Sequence, residues 1–153
     1  MVKYIKSSIR NVKFGKNVKI IEPVNIYDCI IGDDTFIGPF VEIQKNVKIG
    51  KNCRIQSHTF ICENVSIGDN CFIGHGVNFI NDKFHNNKLI SNPNNLLKTN
   101  VGRNVKFGSN ATILPVNIND NVLIGAGSVV TKNCLKGKIY FGNPAKKKIN
   151  FKS

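Results

Sequence analysis

Residues 29–79 read CIIGDDTFIGPFVEIQKNVKIGKNCRIQSHTFICENVSIGDNCFIGHGVNF, and one pattern recurs in them every six residues. A period of six fits neither an amphipathic helix nor a strand with alternating faces. It is typical of a β-solenoid, in which each hexad is one short strand and one corner. A small or slim side chain stands two residues before each apolar marker, and Gly often follows it. The markers are Ile31, Ile37, Ile43, Ile49, Ile55, Ile61, Ile67, Ile73 and Phe79.

The same repeat extends on both sides of this stretch. It starts at Phe14 and, after an interruption, runs again from Val101 to Val130. The Asn-rich residues 82–98 have no hexad phase, so we expect a loop inserted between coils. Three hexads to a triangular lap predict about six coils, in which residues eighteen apart stack at about 4.8 Å. The predicted fold class is therefore all-β, a parallel β-helix closed by a short C-terminal segment.

Length and charge narrow the class of protein. The chain has 153 residues and a formal net charge of +13. Its length predicts a single domain, residues 1–153. The excess of Lys and Arg implies anionic partners. However, these residues are spread along the chain without a helix-turn-helix or RNP-like pattern, which disfavours nucleic acid. Two interpretations of the charge remain, a solvated surface with a basic tail and a site for a small ligand that carries several phosphates.

Cysteine usage and hydropathy predict the compartment. The chain has five cysteines, an odd number without the spacing of a disulfide framework, which is typical of a reducing compartment. The apolar runs are too short to cross a bilayer, and the first residues lack the apolar core of a signal peptide. We expect a cytoplasmic protein with no membrane partner.

The hexad itself resembles the repeat of the hexapeptide acyltransferases, from about Val12 to Ala145. GAGSVVTKNC at 125–134, followed by YFGNPAKKK, is similar to the C-terminal end of that family, where CoA lies along the last coils. HTFICENVSIGDNCFIGHGVNFIND at 58–82 resembles the subgroup that N-acetylates nucleotide-linked amino sugars. The nearest group acts on dTDP-3-amino-3,6-dideoxyhexoses. The resemblance implies a left-handed coil, a homotrimer and acetyl-CoA as cosubstrate.

Glu63 and Asn81 are the first catalytic candidates. They are eighteen residues apart, and each follows an inward residue by two positions, so the coil predicts that they are vertical neighbours. Asp82 follows at the root of the inserted loop. By resemblance, Asn81 would orient the reacting amine, and Asp82 or Glu63 would bind its ammonium form. Spacing alone leaves an alternative open, since Asn and Asp also end strands and Glu63 can be a solvated corner.

The three histidines are candidates by chemistry, because an imidazole can accept the proton of an attacking amine. His75 has the hexad offset of Glu63 but lies on a different face, so it would reach the same site only at a subunit boundary. By resemblance it is the candidate general base. We expect His58, Asn78 and His85 to contact the substrate. The alternatives are surface imidazoles, and a thiolate leaving group that takes the last proton itself.

Acetyl-CoA is expected along the last coils, where Gly125, Ala126, Gly127 and Ser128 offer backbone groups without bulky side chains. Lys146 and Lys147, with Lys148 beside them, could form charge-assisted bonds with its phosphates. The alternative for these lysines is a disordered basic tail.

The cysteines look structural. Cys29, Cys53 and Cys71 hold the small inward position, where a thiol is a slim apolar filler. Cys62 is expected to point outward, which would make a catalytic thiol possible. No Cys and His spacing matches a metal site, so we expect no metal.

The predicted function is transfer of acetyl from acetyl-CoA to the 3-amino group of a dTDP-linked 3-amino-3,6-dideoxyhexose, directly in a ternary complex. The product would be used in surface polysaccharide assembly, such as that of lipopolysaccharide. Two alternatives stay open. One is an N-acetyltransferase for a UDP-amino sugar, such as a 3-amino-uronate, or for another small amine. The other is a structural β-helix subunit without catalysis.

Overall fold

The computed structural model describes residues 1–84, 87–90 and 92–148. In these residues the chain forms 21 short β-strands, a 3₁₀ helix at Pro93–Asn95 and no α-helix. The strands build three sheets, which are the three faces of a triangular β-solenoid. Twenty strands pair in parallel, and only the last pairs antiparallel with its neighbour. The predicted fold class, an all-β parallel β-helix, is confirmed. Each lap of the chain is that of a left-handed β-helix.

The strands rotate through the three faces in chain order. Face 1 consists of β1 (Ile9–Arg10), β4 (Asn25–Tyr27), β7 (Glu42–Ile43), β10 (Phe60–Ile61), β13 (Asn78–Phe79), β16 (Thr112–Ile113) and β19 (Val129–Val130). Face 2 consists of β2 (Lys13–Phe14), β5 (Ile30–Ile31), β8 (Lys48–Ile49), β11 (Val65–Ile67), β14 (Thr99–Val101) and β17 (Asn117–Ile118). Face 3 consists of β3 (Lys19–Ile20), β6 (Phe36–Ile37), β9 (Arg54–Ile55), β12 (Phe72–Ile73), β15 (Lys106–Phe107), β18 (Leu123–Ile124), β20 (Ile139–Phe141) and β21 (Lys146–Lys148).

The interior is a stack of the hexad's apolar residues. Ile31 lies over Ile49, and Ile37 over Ile55, as the eighteen-residue lap predicts. Such residues are almost fully removed from water, and each contributes about 1.5–3 kcal/mol by burial. The buried hydroxyls among the small partners are also satisfied, since Thr35 donates to the Gly50 carbonyl at 3.0 Å. The largest fully buried side chains are Phe79, Phe107, Ile26, Ile31, Ile37, Ile43, Ile55, Ile61, Ile73, Ile113, Ile118 and Ile124.

The corners explain both the Gly and the Asn of the repeat. A Cβ at Gly32 would lie 2.6 Å from the Gly50 carbonyl carbon of the next coil, so crowding excludes a side chain there. The sharp turn itself comes two residues later, where most corners place an Asn or Asp with φ between 49° and 65°. These residue types tolerate the left-handed conformation better than other non-glycine residues. Their amides also bond from coil to coil, as between Asn17 and Asp34 at 3.1 Å.

The inserted loop lies between β13 and β14. Val65 pairs with Thr99, a step of 34 residues where an uninterrupted lap has eighteen. Asp82 organises the start of the loop, because its two carboxylate oxygens accept the backbone N–H groups of Phe84 at 2.7 Å and Ile90 at 2.9 Å. The Leu97 N–H donates to the Asn81 carbonyl at 3.1 Å, and this bond closes the loop where the chain re-enters the coil.

The solenoid has nearly seven coils, one more than the six that the sequence predicts. At the N-terminal end, Ile9 pairs with Ile26 and adds a strand before Phe14. At the C-terminal end, Ile124 pairs with Tyr140 sixteen residues later. The hexad pattern misses both strands because their spacings differ from six and Tyr140 replaces the usual aliphatic residue. Tyr140 is buried under the last coil, so the predicted C-terminal closure is confirmed. Within the described ranges, no helix has the length and apolar character needed to cross a membrane.

We predict that Ile55→Ala lowers the free energy of unfolding by about 2–5 kcal/mol, because it opens a cavity at a fully buried position. Ile30→Ala is the matched control, since Ile30 points outward and is 44% exposed. The expected loss of free energy of unfolding in Ile30→Ala is below about 1 kcal/mol. Urea unfolding followed by circular dichroism measures both, and equal costs for the two variants would contradict the assignment of faces.

Candidate active site

One corner of the solenoid carries two of the three histidines. This corner, which joins face 3 to face 1, is called the histidine corner and contains Phe40, Ser57, His58, His75, Gly76, Ser109, Asn110, Ala126 and Gly127. Backbone hydrogen bonds stack it coil on coil. The backbone N–H of Gly76 donates to the Ser57 carbonyl oxygen at 3.0 Å. In the same way, the Asn110 N–H donates to the His75 carbonyl at 2.8 Å, and the Gly127 N–H donates to the Ser109 carbonyl at 2.8 Å. The corner is therefore a straight ridge parallel to the solenoid axis.

Ser57 and His75 form a side-chain pair on this ridge. The Ser57 Oγ and His75 Nδ1 atoms are 2.8 Å apart, a hydrogen bond whose direction follows the imidazole tautomer. They are eighteen residues apart and therefore vertical neighbours. His75 is exposed, so its Nε2 edge can be reached by a ligand. A hydroxyl that fixes one ring nitrogen leaves the other for proton transfer.

Phe40 and His58 form a second pair one residue further along the same corner. Their ring centroids are 4.9 Å apart, with an angle of 28° between the ring planes. Both residues have left-handed backbones, with φ of 60° and 62°. A residue of this size in that region costs about 1–2 kcal/mol relative to glycine. Phe40 is nonetheless 57% exposed, so the ring is held at a strained site without burial to offset the cost.

The expected CoA stretch lies at the C-terminal end of the same ridge, which brings it in line with His75. Ala126 and Gly127 are exposed, and a Cβ at Gly127 would have no heavy atom within 4 Å, so the surface above it is open. Gly125 and Ser128, in contrast, pack against the C-terminal segment. A Cβ at Gly125 would lie 2.7 Å from the Phe141 Cβ, and the buried Ser128 Oγ accepts the Gly142 N–H at 3.1 Å. The small exposed surface thus fits a pantetheine arm, while its flanking residues hold the C-terminal segment.

Lys146, Lys147 and Lys148 form β21, which pairs with β20 on face 3. They are exposed, and Lys148 Nζ lies 4.4 Å from the centroid of the Phe141 ring. The alternative of a disordered basic tail is therefore wrong for these three residues. An ordered basic strand next to the last coils suits the phosphates of CoA.

Glu63 and Asn81 lie at a different corner, the one that joins face 1 to face 2 and carries the inserted loop. It is called the insertion corner and contains Lys45, Glu63, Asn81 and Asp82. Glu63 Oε2 lies 3.5 Å from Lys45 Nζ, eighteen residues earlier in the chain. Both Asp82 oxygens are engaged by loop N–H groups, so this carboxylate first of all shapes the insertion.

The two corners bound face 1 on opposite sides. Five residues of extended chain separate His58 from Glu63, which places the corners on the order of 15 Å apart in one protomer. The structure thus brings His75 together with Ala126 and Gly127, and it keeps them apart from the Glu63 and Asn81 corner. Asn78, exposed on β13, donates to the Gly76 carbonyl at 2.8 Å and belongs with the histidine corner. His85 lies outside the described residues.

The cysteines are all free and buried. Cys29, Cys53 and Cys71 fill the small inward position, as predicted. The prediction that Cys62 points outward is wrong, because Cys62 is 2% exposed and belongs to the hydrophobic core. Burial raises the pKa of its thiol to about 12, so it stays protonated near neutral pH. Among the described residues, no three His, Cys, Asp or Glu side chains are grouped closely enough to hold a metal ion.

Sequence reasoning misses two residues of the histidine corner, Ser57 and Phe40. The signal for both is present, because each lies eighteen residues before a candidate histidine: Ser57 before His75, and Phe40 before His58. In a chain of this composition, a serine or a phenylalanine does not indicate a functional site by its residue type alone. Only the lap spacing, applied to every candidate in turn, finds them.

Comparison with known proteins places these features in a family. The family described as "Bacterial transferase hexapeptide (six repeats)" matches residues 28–63. The family described as "Hexapeptide repeat of succinyl-transferase" matches residues 64–77 and 98–132. Together the two matches cover more than half of the chain.

Two relatives are informative. The Bifunctional protein GlmU of Streptococcus uberis is 33% identical over 142 residues, which are 88% of this chain and 31% of that protein. The chain spans less than a third of the length of the curated relatives it matches. Among solved structures, a point mutant of AntD, an N-acyltransferase from Bacillus cereus in complex with dTDP and coenzyme A, is 26% identical with a TM-score of 0.79. The match covers 89% of this chain and 82% of AntD.

We predict that a thiol reagent labels no cysteine of the native protein at pH 8, because all five side chains are buried. Burial also raises the pKa of the Cys29 and Cys134 thiols to about 11, which disfavours the reactive thiolate. Mass spectrometry should count five labels after unfolding in guanidinium. Labelling of Cys62 in the native protein would contradict the burial assigned to it.

Proposed function

The chain belongs to the bacterial hexapeptide-repeat transferases, and on this premise we propose that it transfers acetyl from acetyl-CoA to the amino group of a nucleotide-linked sugar. The observation that carries the proposal is the alignment of the Ser57–His75 pair with the open surface at Ala126 and Gly127 on one ridge. A thioester donor and a proton acceptor can meet there. AntD, whose crystals hold dTDP and coenzyme A, supports a dTDP-linked acceptor.

His75 is the proposed general base. In the tautomer that base catalysis needs, His75 Nδ1–H donates to Ser57 Oγ and the Nε2 lone pair faces the substrate. Nε2 then accepts a proton from the amine as the nitrogen attacks the thioester carbonyl. The new N–C bond forms, the C–S bond breaks, and the proton passes from Nε2 to the departing thiolate. Ser57 acts as a positioning residue, because it fixes the ring through the nitrogen that does not react.

The donor is proposed to lie along the C-terminal end of the histidine corner. Bound acetyl-CoA supplies an activated acetyl group as a thioester. Ala126 and Gly127 leave room for its pantetheine arm, and Lys146 and Lys147 provide positive charge for its phosphates. Ala126 and His75 are two coils apart, or roughly 10 Å along the ridge. Both substrates are held together on the ridge, so the acetyl group moves directly between them.

Glu63, Asn81 and Asp82 require a second subunit in this proposal. The insertion corner is too far from His75 in the same protomer to contact one reacting amine. A homotrimer would place the insertion corner of one subunit against the histidine corner of the next. Glu63 and Asn81 would then bind and orient the amine, with Asp82 holding the loop that carries them. The preferred acceptor is the 3-amino group of a dTDP-linked 3-amino-3,6-dideoxyhexose.

The direct test measures CoA release from acetyl-CoA with a panel of dTDP- and UDP-linked amino sugars. We expect turnover with a dTDP-linked 3-amino sugar. His75→Gln should lower kcat by about 10²–10⁴-fold, the usual contribution of a general base. Ser57→Ala should lower kcat less and leave the KM for acetyl-CoA unchanged, because it only frees the ring. No binding of acetyl-CoA at millimolar concentration would reject the enzyme and favour a structural subunit.

The shared site has its own test, which uses two inactive variants. Glu63→Gln and His75→Gln are each expected to be nearly inactive as homotrimers. If each site takes its histidine from one subunit and its glutamate from the next, random mixed trimers regain about one quarter of the wild-type sites. The measurement is activity after the two variants are unfolded together and refolded, with each refolded alone as the control. Absence of recovery in mixed trimers would place both residues in one protomer or remove Glu63 from the site.

A further inference from the structure

We propose that the Phe40–His58 ring pair is a stacking platform for the nucleobase of the acceptor. The nature of the ligand rests on the proposed function, whereas the platform itself follows from the geometry of the corner. A planar heteroaromatic ring would lie against the imidazole of His58, at the level of the coil that carries His75.

The backbone at this pair argues for a role other than folding. Most corner residues with φ near +60° are Asn or Asp, which adopt this conformation at low cost. Phe40 and His58 occupy the same kind of position with larger side chains. Phe40 remains 57% exposed, so the fold gains little from its ring. A strained backbone that displays an exposed aromatic ring is typical of a binding site.

The next coil has no ring above His58, and only the end of the Asn110 side chain reaches into this position. The vertical neighbour of His58 is Gly76, which has no side chain and a φ of 65°. The stack of Phe40 and His58 therefore stops one level below His75. Asn110, one coil further, reaches into this level, since its Oδ1 is the atom that a Cβ on Gly76 would meet first. A ring stacked on His58 would take the place of the Asn110 amide, and this flexible side chain would turn to the edge of the ring. An amide both donates and accepts hydrogen bonds, as a base edge requires.

The order of residues along the ridge assigns the platform to the acceptor and not to CoA. The donor surface at Ala126 and Gly127 lies on the C-terminal side of His75. Phe40 and His58 lie on the N-terminal side. A donor that presents its thioester at His75 has its adenine at the other end of the molecule, away from the platform. The acceptor must approach His75 from the opposite direction, and its base then falls on the rings.

Phe40→Asn is the decisive variant, because it removes the ring and installs the residue that most other corners carry. The variant should unfold at a temperature no lower than wild type. Its affinity for dTDP should fall about tenfold or more, the usual effect of losing one stacked aromatic ring. Isothermal titration of the full chain with dTDP and, separately, with CoA measures this. The affinity for CoA should not change.

Two further variants complete the test. Phe72→Asn removes another exposed phenylalanine, on face 3, and should leave the affinity for dTDP unchanged. Phe40→Tyr restores a ring and should recover binding. The proposal is overturned if Phe40→Asn binds dTDP as tightly as wild type does. It is overturned as well if the affinity for CoA falls by the same factor as the affinity for dTDP. It is also overturned if wild type binds none of dTDP, UDP and GDP at millimolar concentration.

The oligomeric state separates the platform from a subunit contact. If Phe40→Asn changes the mass in light scattering, the rings belong to an interface and the proposal is wrong. Failure of the proposed function gives a different result. Ring-dependent binding of dTDP without acetyl transfer to any amino sugar would support the platform and reject the transferase. Acetyl transfer by the wild type, together with an affinity for dTDP that Phe40→Asn leaves unchanged, would support the transferase and reject the platform.

Discussion

The whole structure depends on the stacking of identical coils, each about 4.8 Å above the last. Parallel hydrogen bonds set this spacing, and the inward residues fill the triangle that the coils enclose. Ile37, Ile55 and Ile73 stand in one such column and are fully buried. The constraint also acts on the corners, because a Cβ at Gly32 would meet the backbone of the coil above. Every lap must therefore repeat the same geometry, and the chain repeats the same residues.

This constraint decides where chemistry can lie. Face residues alternate between the core and the outer surface of a sheet, whereas corner side chains project from the edge of the triangle in vertical rows. The rows turn residues eighteen apart into neighbours, as the 2.8 Å contact between Ser57 and His75 illustrates. Because a corner is shared by all coils, the proposed donor surface at Gly127 and the ring of Phe40 belong to one ridge. The two ridges that bound face 1 then divide the candidate residues into two groups, which supports a site built from two subunits.

The errors of the sequence-based predictions have specific physical causes. The hexad places Cys62 outside because it follows an inward residue, but the tight corner leaves it in the core. The coil at each end escapes the pattern because Ile9 and Tyr140 depart from the six-residue step. The resemblance gives Asp82 or Glu63 a role at the reacting amine, and no spacing rule predicts that the Asp82 oxygens also accept two loop N–H groups. The lysines at 146–148 cannot be distinguished from a tail without their pairing with β20.

The sequence by itself determined the parallel solenoid, the eighteen-residue lap, the core columns and the position of the insertion. It did so because each hexad is a local unit, and the repeat leaves one way to bury all of its apolar residues. Only the tertiary structure decided which candidates share a corner, that Ser57 fixes His75, and that Phe40 and His58 stack with strained backbones. These facts depend on how the residues of one coil meet those of the next. A contact between single side chains is set by geometry at the level of one ångström, to which a periodic pattern of residue types is not sensitive.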